Sequence, residues 1–359
     1  MDWPWNSLEQ EPMPVLRYSA DLFAYVVARA APREQAQQQQ QQQQQQVLQW
    51  GALWRGQDSA EQFAKRVHAL GLGQGQDQVG ALALLEPADY QVFKIAAPGV
   101  PPSELKAAAR WQIKGLIDTP LDDLTLDVLQ VGDARPRPNS ELFVVAAGNP
   151  PLQALSERCA AAKLDLQIVD IWETALRNLQ SAQARLDGVG ERACALLFVQ
   201  DGKCWFSICA NGELYFARRL DWDTRLAGSA SPRAAQPDAP LEQPLGYEYM
   251  PGGSLDQDTP ASAVADYESD LIIELQRTLD GWERTWPALP LARLYLMLPD
   301  EPGQSAGVLE LMQTVLRLPV GELALDALFS GLPSGNKRRG ELLACLPLLG
   351  ACLRDDSPL

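Results

Sequence analysis

Two hairpin signals, Asp201-Gly202 and Asn211-Gly212, stand ten residues apart and constrain this chain more than any other feature. Each is flanked by apolar runs: Ala193–Val199, Lys203–Cys209 and Leu214–Arg218. A type I′ turn needs φ > 0 at both central residues, which Asp, Asn and Gly tolerate best. The spacing therefore predicts a three-stranded antiparallel meander. Such a sheet must bury one face against another layer. The sequence that follows supplies the layer. Residues 223–259 are rich in Pro, Gly, Ser, Asp and Gln and are expected to form a long mobile loop. A helix is predicted over 261–285, with Val264, Tyr267, Leu271, Leu275, Leu279, Trp282 and Trp286 along one face and Pro287 at its end. A strand at Leu291–Leu298, a helix at Val308–Leu316 and a closing helix at Gly340–Leu353 complete the half.

The first half repeats this order. Three short strands are predicted at Val15–Tyr18, Leu22–Ala28 and Val47–Trp54. The second connection holds a glutamine run, Gln37–Gln46. Polyglutamine buries no apolar area, so 31–46 is expected to be a disordered loop. A helix from Ser59 to Leu70 and strands at Val79–Leu85 and Tyr90–Ala96 follow. Leu105, Ala109, Ile113 and Leu116 make one stripe of a helix over Leu105–Ile117, with Ser103 as the expected N-cap. Next come a strand at Leu124–Val131, a Pro-rich loop at 133–140 and a strand at Leu142–Ala147. The half ends with a helix at Leu152–Ala162, a strand at Leu166–Ile171 and a helix at Trp172–Ala182. Residues 184–191 read as the join. The shared order predicts two related α/β lobes, 1–183 and 184–359, with a cleft between them and an extra piece, 86–140, inserted in the first.

Charge narrows the partners. Thirty basic against 46 acidic residues leave a net charge of −16. Such a surface repels phosphate backbones and suits a cationic peptide. Met1-Asp2-Trp3-Pro4-Trp5 lacks the basic and apolar regions of a signal peptide. The most apolar run, Leu342–Leu353, is broken by Pro347 and falls short of the roughly 20 residues of a spanning helix. The expectation is a cytoplasmic protein that reaches a membrane only through a partner. The six cysteines, Cys159, Cys194, Cys204, Cys209, Cys345 and Cys352, include no C-x-x-C pair. With a single histidine, His68, neither a metal site nor a nucleophile–histidine site is expected. Gly71-x-Gly73-x-Gly75 follows a helix, not a strand, so it lacks the setting of a dinucleotide loop. Gly331–Gly335 with Lys337 lacks Walker spacing, and Lys337-Arg338-Arg339 reads as a solvated loop.

Several segments resemble a known family. They are Ala81–Glu86, Asp89–Lys94, Ala97-Pro98 and Pro102–Asp118, then Val169–Leu179 and Gly212–Arg219. Tyr267–Trp286, Leu318-Pro319-Val320 and the apolar closing helix also fit. Together, from about Ala81 to Leu353, they resemble the MshI-type, PilM-like components of mannose-sensitive haemagglutinin (MSHA) type IV pilus assembly. The resemblance implies an actin-like (ASKHA) fold of two ribonuclease-H-like lobes with an inserted α/β subdomain. It also implies a cytoplasmic scaffold that docks on the cytoplasmic tail of a PilN-like inner-membrane protein, in a groove beside the insert.

Actin-like ATPases carry an Asp-x-Gly at the first strand of each lobe, and glycines after a late strand. The acid organises Mg²⁺ and water, and the glycine lets backbone N–H groups approach phosphate. At the matching places stand Arg17 and Tyr18, then Phe198 and Gln200, and then Pro299 in Leu298-Pro299-Asp300. These residues predict a degenerate site with no cofactor, a pseudo-ATPase. The alternative is an active ATPase that holds ATP and Mg²⁺ through Asp21 or Asp201. Arg110, Trp111 and Lys114, on the helix of the insert, are the expected partner-binding residues, because a tryptophan flanked by charge is a common interface anchor. Burial of Trp111 in the core of the insert is the other expectation.

Overall fold

The computed structural model describes residues 12–30, 44–72, 79–132, 140–222, 270–298, 305–332 and 338–354. The predicted meander is present. Strands β9 (Ala193–Gln200), β10 (Lys203–Ala210) and β11 (Glu213–Asp221) pair antiparallel in order. Asp201, Gly202, Asn211 and Gly212 have φ of 51°, 73°, 54° and 82°, as type I′ turns require. β12 (Leu291–Met297) joins parallel to β9, and β13 (Val320–Glu322) parallel to β12. The second sheet thus runs β11-β10-β9-β12-β13.

The first lobe repeats the pattern. β1 (Val15–Tyr18), β2 (Leu22–Ala30) and β3 (Gln45–Trp54) form an antiparallel meander. β4 (Val79–Leu84) lies parallel to β1, and β8 (Leu164–Asp170) parallel to β4. Helix α1 (Ala60–His68) starts in a capping box, Ser59 with Gln62, and buries Phe63 and Val67. Helix α3 (Asn149–Ala161) buries Leu155 and Cys159 on the same side of this sheet.

Three expectations shift. The glutamine run does not stay outside the fold: Gln45 and Gln46 belong to β3, where they face Ala30 and Arg29 and also pair with β14 (Phe329–Ser330). Residues 31–43, the rest of that predicted loop, lie outside the described residues, as do 223–269 with the predicted mobile loop. The insert also runs past 140. Its sheet is β5 (Tyr90–Ala96), β7 (Glu141–Gly148) and β6 (Leu124–Gln130), so β7 is its central strand. Helix α2 (Pro102–Gln112) covers this sheet. It is entered through Pro101 and Pro102, so Ser103 lies inside the first turn and is not the cap. The helix tightens at Ile113–Gly115 into a 3₁₀ turn of three residues per turn. That tightening turns Leu116 off the predicted stripe and out to 58% exposure.

The third shift concerns the C-terminus. After the single turn α7 (Leu325–Leu328), helix α8 (Arg339–Cys352) returns to the first lobe instead of closing the second. Ala344, Cys345, Leu346, Leu348, Leu349 and Ala351 are buried in one cluster with Val15, Val26 and Ala52 of the first sheet. An all-round apolar helix needs cover on several sides. It finds the first sheet on one side and helix α4 (Trp172–Leu186) on another. The same cluster continues through α4 into Cys194, Leu196, Phe198 and Trp205 of the second sheet. One core therefore spans both lobes. The opposite face of the second sheet packs on α5 (Asp270–Thr285) and α6 (Ser305–Leu316) through Leu275, Leu279, Val308 and Met312.

The α4–α8 crossing depends on Gly350. A Cβ there would sit 2.0 Å from the Ala175 carbonyl oxygen, which belongs to rigid helix backbone. Gly350→Ala should destabilise by about 1–3 kcal/mol, the usual effect of overpacking. Gly281 of α5 has nothing within 4 Å of its missing Cβ, so Gly281→Ala should stabilise by up to about 1 kcal/mol. Thermal unfolding of the two variants should move the midpoint in opposite directions.

Candidate functional site

The lobes meet where β1, the start of α4 and the β9–β11 meander converge. Arg17, on β1, donates from Nε and Nη2 to Glu86 Oε1 and Oε2 at 2.6 and 2.9 Å. This is the bidentate fork, the strongest arrangement of this pair. The same guanidinium lies 5.1 Å from the Trp172 ring centroid. Trp172 is the first residue of α4 and stacks on Trp205 at 4.6 Å; Phe198 closes the group at 6.0 and 5.7 Å from the two indoles. Register explains the grouping. Phe198 faces Trp205 across β9 and β10, and Trp205 faces Arg219 across β10 and β11. Directly paired residues of antiparallel strands share one face.

A second ion pair lies beside this stack. Arg219 Nε donates to Glu173 Oε1 at 2.9 Å, and its Nη1 reaches the Pro87 carbonyl oxygen. Its guanidinium stands 4.4 Å over the Tyr90 ring. The Tyr90 hydroxyl donates to Glu173 Oε2 at 2.6 Å and accepts from the Trp172 backbone N–H at 3.1 Å. Both oxygens of the buried Glu173 carboxylate are thus engaged. Burial, reinforced by the Glu173 charge, holds the Tyr90 pKa well above its ordinary value, so the hydroxyl keeps its proton and remains a donor. Burial disfavours the Arg219 charge, but Glu173 and Tyr90 outweigh it and raise the pKa. Asp170, at the end of β8, accepts from Arg354 at 2.8 Å and from Thr174.

Of the residues expected at a degenerate nucleotide site, Arg17 and Phe198 lie at this junction, and Gln200 is buried at the end of β9. Tyr18 does not. It is buried in the first lobe against Phe23 and Phe63, and burial pushes its pKa up to about 12. Pro299 lies outside the described residues. Asp21 sits in the exposed β1–β2 turn and Asp201 in the exposed β9–β10 turn. Sequence reasoning missed Glu86, Tyr90, Trp172, Glu173 and Arg219 as a group. Their only local signal was a Trp-Glu pair at a helix start and an Arg-Arg pair ending a strand.

The insert presents a different surface. Trp111 is 68% exposed, so it is not part of the insert core. Lys114 Nζ stands 5.4 Å from the Trp111 ring centroid. Exposed Leu116 follows in the same 3₁₀ segment, while Ala109 and Ile113 face inward onto β6 and β7. Arg110 is committed elsewhere: its Nη2 donates to the Leu121 carbonyl and to Asp122 Oδ1, holding the turn into β6. Of the three expected partner-binding residues, Trp111 and Lys114 are therefore free to meet a partner, and Arg110 braces them.

His68 is exposed in the last turn of α1. Among the described residues no group of His, Cys, Asp and Glu could hold a metal ion. All six cysteines are free thiols. Burial pushes Cys194 up to about 11 and Cys159, Cys204 and Cys345 up to about 12, so these remain thiols at neutral pH. No helix of the described residues is long and apolar enough to cross a membrane.

No family model and no curated protein matches the sequence. Solved structures do match in fold. One is a chain of the PilM–PilN type IV pilus biogenesis complex: 16% identity, 97% of this chain and 99% of that one covered, and a TM-score of 0.63. More distant are a Bacteroides thetaiotaomicron protein with an actin-like ATPase fold (11% identity, 93% and 96% covered, TM-score 0.41) and the cytoplasmic domain of EpsL, an inner-membrane component of the Vibrio cholerae type II secretion system (14%, 67% and 90%, 0.37). The duplicated meanders, the α4–α8 core and the match to the PilM–PilN chain agree: the chain has the actin-like fold expected from its sequence.

Proposed function

We propose that this protein is a non-enzymatic scaffold of type IV pilus assembly, of the MSHA type, which docks on the cytoplasmic tail of a PilN-like inner-membrane protein. In this reading it works in the cytoplasm and is held at the membrane by that partner. The fold it shares along its whole length with a chain of the PilM–PilN complex supports the partner class. The segments Ala81–Glu86 and Pro102–Asp118 support the MSHA type.

The observation that carries the non-enzymatic part is the junction filled by the protein's own side chains. Mg-ATP does not fit those residues. A divalent cation offered the β1 position would meet the Arg17 guanidinium, and the nearest acid, Glu86, already gives both oxygens to Arg17. Like charges repel strongly where water is scarce. On the second lobe, Phe198 is 1% exposed and packed against the two stacked indoles, so neither charge nor space is offered there. Trp111 supplies the docking anchor. An exposed indole beside Lys114 can bury a large rigid area at little entropic cost.

Two measurements test the reading. Calorimetric titration with ATP and Mg²⁺ at tens of micromolar protein should give no saturable heat; saturable binding would overturn the pseudo-ATPase and favour a nucleotide-gated switch. Trp111→Ala should weaken binding of a synthetic PilN-like tail peptide about tenfold or more, the usual size of a hot-spot loss, with no change in melting temperature. Unchanged peptide affinity in that variant would remove Trp111 from the docking surface.

A further inference from the structure

We propose that Arg219 is a latch that fixes the insert and the second lobe in one orientation, closing the junction without any ligand. Arg219 stands on β11, at the edge of the second sheet. Every group it engages lies across the junction. Glu173 lies in the first turn of α4, Pro87 lies in the five-residue stem between β4 and the insert sheet, and Tyr90 is the first residue of that sheet. The stem is also held from the other side, because Arg17 of β1 grips Glu86, its neighbour. The entry to the insert is therefore pinned between an arginine of each lobe.

The exit of β6 is pinned too. Gly132 donates its N–H to the Leu214 carbonyl of β11 at 2.9 Å. Its φ is +72°, and a Cβ there would lie 2.4 Å from the Tyr215 ring. Val131 and Phe143 of the insert share a small apolar cluster with Cys209 and Leu214 of the second lobe. These contacts place the insert against the second lobe. The ion pair decides whether they hold, for a physical reason. Glu173 is 6% exposed, and Arg219 is its cationic partner. Without Arg219 the closed junction would hold a buried carboxylate lacking its cation, which is far costlier than losing a surface pair. The charges that face this group from every packed element are Arg17, Glu86 and Glu173, with Tyr90 as the neutral donor. The latch holds whatever the partner of Trp111 is, and its test is independent of that reading.

Hydrogen exchange of the full-length protein tests the latch. In Arg219→Met, which keeps the apolar stem and loses the charge, amides of β5 and β7 should exchange about tenfold or more faster, while those of β12 and α6 keep their wild-type rates. Glu173→Gln should speed the same amides. The double variant should add little to either single change, because both break one interaction. Unchanged exchange in β5 and β7 would overturn the latch. So would equal acceleration in every element, which would make Arg219 a general stabiliser, and so would additive effects in the double variant. Should Arg219→Met fail to fold, Tyr90→Phe, which removes the hydroxyl with its bonds to Glu173 and the Trp172 N–H and keeps the ring under the guanidinium, is read against the same amides: faster exchange in β5 and β7 alone supports the latch, and wild-type exchange overturns it.

Discussion

Helix α4 is buried on nearly every side although half its surface is polar, and the two lobes are arranged by how those polar groups are satisfied. Glu173, Thr174, Arg177, Asn178, Gln180, Ser181 and Gln183 are all buried. A buried polar group without a partner costs about 1–3 kcal/mol. Seven such groups would consume most of the stability of an ordinary domain. Six of the seven have partners, several of them on neighbouring elements, and only the Ser181 hydroxyl is left without one. Gln180 donates to the Cys194 carbonyl of β9 and accepts from Ser207 of β10. Asn178 donates to the Gly350 carbonyl of α8 at 3.1 Å, and Gln183 accepts from the Ala324 N–H at 2.9 Å. Glu173 is held by Tyr90 and Arg219. The helix is therefore a hub with directional sockets, and each lobe must dock in register to fill them.

That arrangement accounts for the C-terminal return. An apolar α8 alone could settle on any greasy face. The Asn178–Gly350 bond and the close backbone approach at Ala175 admit only one crossing. With α8 in place, the core becomes continuous between the sheets, and the junction above it is left to Arg17, Trp172, Phe198 and Trp205. Aromatic stacking and a bidentate ion pair are both short-range and geometrically demanding. They fill the space between the lobes with side chains that have few other places to go.

The sequence made some of this legible and hid the rest for one reason. Features set by local chemistry could be read: the two type I′ turns, the start of α1 at Ser59, the apolar face of α5 and the duplicated strand order. Features set by contacts distant along the chain could not. Gln45 and Gln46 read as disorder, because glutamine carries no apolar signal, yet their backbone completes a ladder with β2 and with Phe329 and Ser330. The insert ends at β7 and not at 140, because the pairing of β7 with both β5 and β6 is tertiary. Leu116 obeyed the helical stripe only until the helix became 3₁₀. Arg17 and Phe198 were singled out by comparison with an expected pattern. Glu86, Glu173 and Arg219 were invisible as a group, since 46 residues separate Glu173 from Arg219 and 69 separate Arg17 from Glu86.

Rigidity and exposure are separated in this molecule, and the separation matters for docking. The insert is fixed to the first lobe through its stem and to the second through Gly132 and Leu214. Its helix still turns one large indole outward, with Arg110 tied down beside it by Leu121 and Asp122. A binding surface whose backbone is already ordered loses less entropy when a partner arrives than one that must order first. A flexible partner would bring its own ordering cost, so a surface that is already ordered adds none of its own. The overall charge of −16 would favour a partner carrying basic residues, through faster encounter more than through tighter contact. The entry to the insert is gripped by an arginine from each lobe, and the exposed indole therefore stands on a surface whose backbone is already fixed.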